Sequence, residues 1–273
     1  MTKYPTLLIS NDDGPPSTKS PFLIPFLDCL TKLGWNYKVV IPNCQKSWIS
    51  KGFHIEEEVL ISYYNPKTGD ISSKQSEGDW ILLNATPAAC VNIALHHLFV
   101  NEIDLVVTGP NLGRNTGNAS ALSSGTIGGA LEGVVCGVRS IALSFGYFGY
   151  ETIKEENRVL QACNASAHLI HQLWNHWNTI PEPPQLFNIN VPLIAVPFEG
   201  YEWCQFYNGG YSSLYTKTDD GFLWKPKLIT ENPGIGTDFW AITQNKISIT
   251  PLQAGYSVEK DLNRYEALPL SKH

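Results

Sequence analysis

No apolar run in the 273 residues approaches the roughly 20 that a helix needs to cross a bilayer, so no membrane span is expected. The opening M-T-K-Y-P-T leads straight into the first apolar run, with no basic segment and long apolar stretch before it, and a cytoplasmic location is expected. Basic residues are few: 19 Lys and Arg against 25 Asp and Glu give a formal net charge of -6. That falls short of the basic footprint that binding to a nucleic-acid polymer requires, while a small phosphorylated ligand needs only local donors. The six cysteines (Cys29, Cys44, Cys90, Cys136, Cys163, Cys204) include no C-x-x-C pair and mostly sit in apolar surroundings, which argues for reduced core thiols over a disulfide frame or a zinc site. Also missing are G-x-x-x-x-G-K-[ST] and a G-x-G-x-x-G after a strand, so neither a P-loop NTPase nor a dinucleotide binder is supported. His96 and His97 are adjacent and point apart on a helix; His168 and His171 share a helix face, but no carboxylate accompanies them in an H-E-x-x-H pattern. What remains is an ordinary globular composition, 43% hydrophobic and 16% charged, on a chain long enough for one large α/β domain.

The strongest signal is Thr6 to Gly14, T-L-L-I-S-N-D-D-G. Leu7, Leu8 and Ile9 do not alternate with polar residues, which is how a strand buried on both faces of a parallel sheet reads. Asp12 and Asp13 then belong just past its carboxyl end, where open α/β sheets place ligands. Adjacent carboxylates raise each other's pKa unless something compensates them. Two readings fit: a divalent metal site, or an Asx-turn and helix cap with Gly14 at the bend.

Further on, Pro21 to Leu33 carries Phe22, Phe26, Leu27, Leu30 and Leu33 at helical spacing, with Ser20 as cap and Pro21 at the first helical position. Tyr37 to Ile41 completes a β-α-β unit, and the segment from Pro42 to Phe53 rises on the same rim, where Lys46, Ser47 and Lys51 face the aspartates. Glu56 to Glu58 is a solvated acidic run, and Asn65 to Asp70 turns a short hairpin. Strands are expected at Trp80 to Leu83, Ile103 to Thr108, Arg139 to Phe145, Leu186 to Val191 (the last of the main sheet) and Lys246 to Thr250. Helices are expected from Thr86-Pro87 through Phe99 and from Asn157 to Trp177. The aromatic, Gly-rich stretch from Tyr201 to Lys227 reads as a β excursion packed either on a second subunit or on its own domain, and Gly234 to Asp238 as a polar turn.

Gly109 to Gly133 is a polar, Gly-rich loop feeding a helix near Ser124-Gly125-Thr126. Amides and hydroxyls at such a helix start suit an anion, with Gly125 allowing a phosphate close to the backbone; the plainer alternative is a flexible loop with a Ser/Thr cap. Gly128, Gly129 and Gly133 each cost about 1 kcal/mol relative to Ala inside a helix, so tight packing on the sheet is expected to offset them.

Taken together, S-N-D-D-G (10–14), T-P-A-A-C-V (86–91), T-G-P-N-L-G-R-N (108–115), S-G-T-I-G-G-A-L-E-G (124–133), N-I-N-V-P (188–192), G-T-D-F (236–239) and S-I-T-P-L (248–252) resemble the SurE family of metal-dependent phosphatases and nucleotidases, in the family's order and over nearly the whole chain. The Q-K-S-W and G-R-N-T variants look most like its fungal members. The resemblance implies a Rossmann-like α/β three-layer sandwich with a mostly parallel sheet, as a single domain over 1–273 with its core at about 1–195 and 235–255. It also implies a β excursion at about 196–234 and a homodimer or homotetramer built by an exchanged C-terminal β segment. One Mg²⁺ or Mn²⁺ per subunit is implied, held by Asp12, Asp13, Ser47 and Asn111, an all-oxygen set suited to a hard cation. Asn115, Ser124, Gly125 and Thr126 would hold the phosphate; Lys51 and Arg114 would either bind it or the leaving group or be solvated surface charges. The expected chemistry is that of an acid phosphatase or 5'-nucleotidase: a metal-activated water attacks a phosphate monoester such as a nucleoside monophosphate, with Asp13 orienting or deprotonating that water and Asp12 and Asn115 assisting. Ala89 stands where bacterial members carry an acid, and the loop from Asn115 to Ser124 is one residue longer than theirs. A nucleotide-binding scaffold or sensor with little turnover is the alternative; a nucleotide-sugar transferase is a third reading.

Overall fold

Alternation inside the buried strands sets the layers of the structure, a computed structural model that describes residues 4–147, 155–194, 197–226 and 233–255. In the first strand, β1 (Leu7–Ser10), Leu7 and Ile9 pack on one side of the sheet and Leu8 on the other, so both faces are covered. Helices α1 (Leu23–Lys32) and α5 (Glu156–His176) cover the first face and pack on each other. The other face is covered by α2 (Pro87–Ile93), continued as a π-helical turn over Ala94–Leu98, together with α4 (Gly125–Val135). The result is a three-layer, Rossmann-like α/β sandwich.

Among the described residues the sheet has ten strands. Besides β1 they are β2 (Tyr37–Pro42), β3 (Ile61–Tyr64), β4 (Ile71–Ser72), β5 (Trp80–Leu83), β6 (Leu105–Leu112), β7 (Ser140–Gly146), β8 (Leu186–Pro192), β9 (Tyr201–Trp203) and β12 (Ile247–Leu252). Their order is β4-β3-β5-β2-β1-β6-β7-β8-β12-β9, parallel from β5 through β8 and again between β12 and β9. The antiparallel pairs are β3 with β4, β3 with β5, and β12 with β8. β10 (Tyr215–Lys217) and β11 (Phe222–Trp224) form a separate antiparallel hairpin. No described helix is long and apolar enough to cross a membrane.

Several sequence expectations need correction. β8 is not the last strand, because β12 returns antiparallel beside it and β9 lies beyond. β6 runs through Gly109 and Pro110 to Leu112, absorbing them in a register shift between Thr108 and Asn111. Helix α1 starts at Leu23 with no side-chain cap, because the Ser20 hydroxyl is engaged at the Gly14 carbonyl instead. Two short helices went unread: α3 (Gly117–Ser123) and α6 (Asp238–Thr243). All six cysteines are free, but Cys44 is exposed and Cys136 half-buried, outside the core expected for them. Within the aromatic excursion Tyr207 packs on Phe239 and Trp224 on Trp48, whereas Tyr201, Trp203, Tyr215 and Phe222 stay about half exposed or more.

Candidate functional site

β1 lies between β2 and β6, the point where the strand order reverses and where open α/β sheets leave a crevice at their carboxyl ends. Asp12 and Asp13 sit there, 3% and 4% exposed. The turn that follows β1 is organised by Asn11, not by the aspartates. Its Oδ1 accepts from the Gly14 amide at 3.1 Å and its Nδ2 donates to the Gly14 carbonyl at 2.9 Å. Gly14 has φ +78°, and a Cβ there would come within 2.9 Å of the Cys44 backbone, so this turn and the loop after β2 touch. The Lys46 amide donates to the Asp12 carbonyl at 2.7 Å, which carries Ser47 and Trp48 to the rim beside the carboxylates.

On the other side, the register shift in β6 turns Leu112 so that its amide donates to Oδ2 of Asp13 at 2.7 Å. From α4, the Thr126 hydroxyl donates to Oδ1 of Asp12 at 2.6 Å, while the Thr108 hydroxyl donates to the Thr126 carbonyl at 2.6 Å. Gly125 admits Asp12 itself: a Cβ at that position would lie 2.8 Å from the aspartate's Cβ and 2.9 Å from its Oδ2. Burial pushes the Asp12 carboxyl above its ordinary range, opposed first by the Thr126 hydroxyl and then by amides that include those of Thr126 and Gly125. The helix start read as an anion cradle therefore directs these donors at the protein's own carboxylate. Burial, and then the neighbouring Asp12 charge, push Asp13 well above the usual carboxylate range against the Leu112 amide.

A cavity of about 360 Å³ opens beside the pair, lined by Asp12, Ser47, Asn111, Arg114, Asn115 and Ser124. Trp48 and Tyr147 stand on its wall, and α3 contributes Ser120 and Ser123, which the sequence reading did not single out. Asn115 is held from three sides. Its amide donates to Oδ1 of Asn190 at 2.7 Å, its Nδ2 donates to the Ser144 hydroxyl at 2.8 Å, and its carbonyl accepts from Nδ2 of Asn188 at 2.9 Å. Two asparagines at alternate positions of the buried strand β8 were the available signal for this support. Ser124 caps α4, accepting from the Ile127 amide at 3.1 Å. The packing expected around the helix glycines is present: a Cβ on Gly128 would overlap the Ser50 carbonyl, and one on Gly129 would come 2.8 Å from Thr108 Cγ2.

Lys51 is not brought to the cavity. Its ammonium lies 2.5 Å from Oε2 of the buried Glu132 on α4 and 5.0 Å from the centre of the Phe53 ring. Arg114 does line the cavity, with its guanidinium over the Phe239 ring at 4.7 Å. Burial lowers the Arg114 pKa, and the nearby Asp238 charge opposes that. Asp238, read from sequence as part of a turn, is fully buried and accepts from the amides of Gly117, Tyr207 and Phe239, each at 2.8 Å. It thereby ties the start of α3 to α6. His96, His97 and His168 are exposed on their helices. A larger cavity of about 560 Å³ opens at the amino ends of β2 and β5 between Leu27, Tyr37, Trp80 and Phe99; it has no buried carboxylate pair.

The donor set fits a hard divalent cation. Among the described residues neither Asp12 nor Asp13 has an ion-pair partner, and burial raises both carboxyls despite the Thr126 hydroxyl and the Leu112 amide, so a cation is what would favour the doubly ionised pair. The Asn111 Nδ2 donates to the Gly113 carbonyl at 2.8 Å, which leaves its Oδ1 as the donor for a cation. Among the described residues no group of three or more His, Cys, Asp or Glu side chains converges.

Comparisons with known proteins agree with this architecture. The family model described as "Survival protein SurE" matches residues 7–213. A protein from Haemophilus influenzae named 5'-nucleotidase SurE is 33% identical, over 96% of this chain and 94% of its own length. A protein from Saccharomyces cerevisiae named "Probable tubulin--tyrosine ligase PBY1" is 30% identical over 92% of this chain, which spans 41% of that protein's length. The crystal structure of the SurE protein from Aquifex aeolicus superimposes with a TM-score of 0.74 at 25% identity, covering 96% of this chain and 100% of that one. The chain belongs to the SurE family.

Proposed function

We propose that this chain is a phosphomonoesterase that hydrolyses nucleoside 5'-monophosphates with one Mg²⁺ or Mn²⁺ per subunit. The observation that carries the reading is the buried pair Asp12 and Asp13, with Asp12 on the wall of a cavity that also presents Ser47, Asn111, Asn115, Ser124 and Arg114. The relatives named 5'-nucleotidase support the hydrolase class and a small phosphorylated substrate.

Asp12, Asp13, Ser47 and Asn111 would hold the cation. When bound, it supplies positive charge that neutralises phosphoryl oxygens and makes water more acidic. One oxygen of Asp13 is fixed by the Leu112 amide, and the other has no partner among the described residues, so it is free to orient the attacking water and take its proton. Attack forms the new P–O bond as the opposite P–O ester bond breaks, and the departing oxygen takes a proton from solvent to leave as the alcohol of the nucleoside while Asp13 returns its proton to solvent. Ser124 accepts from Ile127, so its own hydroxyl proton remains for a phosphoryl oxygen. Arg114 and the remaining N–H of Asn115 add donors on the same wall. We place the whole reaction in one domain and expect a homodimer or homotetramer, with the exposed aromatics of β9 and the β10–β11 hairpin covered between subunits.

The test is an assay of nucleoside monophosphates and glycerol 2-phosphate with Mg²⁺, Mn²⁺ and chelator. Turnover that requires metal and falls by at least about a hundredfold in Asp13→Asn is expected, general base catalysis contributing on the order of 10²–10⁴. Metal-independent turnover, or an Asp13→Asn protein as active as the parent, would overturn the reading.

A further inference from the structure

Trp48 adopts φ 64°, the left-handed region that a bulky side chain occupies only when its surroundings compensate the strain. It follows Ser47 directly, and both line the cavity that holds Asp12, Asn111 and Arg114. The indole is 39% exposed, so it is on the cavity wall and not in the core. Its aromatic neighbours come from a distant part of the chain: Trp224 on β11, with ring centres 4.9 Å apart at 74°, and Tyr211, at 5.9 Å and 62°. Tyr215 on β10 braces Trp224 in turn, at 5.3 Å and 78°. All of these contacts are steep. Among the described residues no ring stacks parallel on Trp48, so the indole is braced without a parallel partner.

We propose that Trp48, braced by Trp224 and Tyr211, is the surface on which the nucleobase of the substrate stacks, a proposal that rests on the phosphomonoesterase reading above. The cavity then divides by chemistry: oxygen and nitrogen donors for the phosphate beside Asp12 and Asn115, and an aromatic wall for a planar leaving group. A stacked base presents only its π-face, so this wall accepts every base and favours purines for their larger area. The β10–β11 hairpin belongs to the specificity apparatus through Trp224.

A bracing role alone would also account for the contacts, and the test separates the two. Trp48→Gly relieves the backbone strain, since glycine takes positive φ without cost, and Trp48→Phe keeps a ring. The readouts are kcat and KM for adenosine 5'-monophosphate and for glycerol 2-phosphate, which has no ring, together with calorimetric binding of adenosine 5'-monophosphate. The glycine variant is expected to raise KM for the nucleotide about tenfold with kcat within about twofold, to leave KM for glycerol 2-phosphate within about twofold, and to be largely rescued by the phenylalanine variant. Equal changes for both substrates, or no change for the nucleotide, would overturn the platform while leaving the phosphomonoesterase reading intact. If neither substrate is turned over, that reading fails, and the binding arm decides the platform: weaker nucleotide binding by the glycine variant supports it, and unchanged binding overturns it.

Discussion

The Thr126 hydroxyl donates to Oδ1 of Asp12 across 2.6 Å, joining the start of α4 to the end of β1 over 114 positions of sequence. Asp12 is buried, and this bond is the largest of the influences that favour its ionised form. A hydrogen bond to a charged acceptor contributes about 1.5–3 kcal/mol, so its loss should be read out in cation affinity more than in folding. Thr126→Val, close to isosteric, is expected to raise the Mn²⁺ concentration for half-maximal activity about tenfold, whereas Thr126→Ser should stay near the parent. A metal titration of phosphatase activity checks this, and equal midpoints for the valine and serine variants would contradict it.

The aspartate pair also sets a pH dependence whose sign follows from its surroundings. Burial and the Asp12 charge hold the Asp13 carboxyl well above its ordinary 3.8, so in the cation-free protein the native state keeps a proton that the unfolded chain has lost. This contribution to stability is fully present below the unfolded pKa and is lost as pH rises through the raised one. A divalent cation reverses the preference, because it binds the ionised pair. With chelator present, Tm relative to Asp13→Asn is expected to fall as pH rises from the ordinary 3.8 through the raised pKa, and the gain in Tm on adding Mn²⁺ to grow over the same interval. Thermal unfolding with and without Mn²⁺ measures both slopes, and a cation-induced gain that is flat with pH would rule out this linkage.

Where a local pattern was sufficient, the sequence was readable. β1 and β5 show as short apolar runs, and the charges that end β1 place Asp12 and Asp13 at the sheet's carboxyl edge. What escaped depends on contacts between distant residues. Gly117 to Ser123 is too short and polar to announce a helix, and its first amide is satisfied by Asp238, 121 residues away. Gly109 and Pro110 read as the end of a strand, yet β6 continues past them in a bulge that aims Leu112 at Asp13. The Gly125 and Thr126 amides were legible as anion donors, but only the packing of α4 on β1 shows that the anion they meet is Asp12. Lys51 lies on the expected rim loop, and Glu132 of α4 draws its ammonium away from the cavity.

Asp238 offers a test of how the loop under the cavity is held. Its Oδ2 accepts from the Gly117 amide, and its Oδ1 from the amides of Tyr207 and Phe239, so both oxygens are committed to donors in a fully buried position. Burial raises its pKa against those three amides. Asparagine has the same shape but carries an N–H₂ in place of one oxygen, so at least one backbone amide would face another donor. An unsatisfied buried donor costs about 1–3 kcal/mol, and the Gly117 side of the contact leads directly into α3, which supplies Ser120 and Ser123 to the cavity. Asp238→Asn is therefore expected to lower stability by about 1–3 kcal/mol in a denaturant titration and to raise KM more than it lowers kcat, since it touches the wall of the cavity and not the carboxylate pair. A variant with unchanged stability, or one that loses kcat while keeping KM, would show that Asp238 is not what holds α3 against the site.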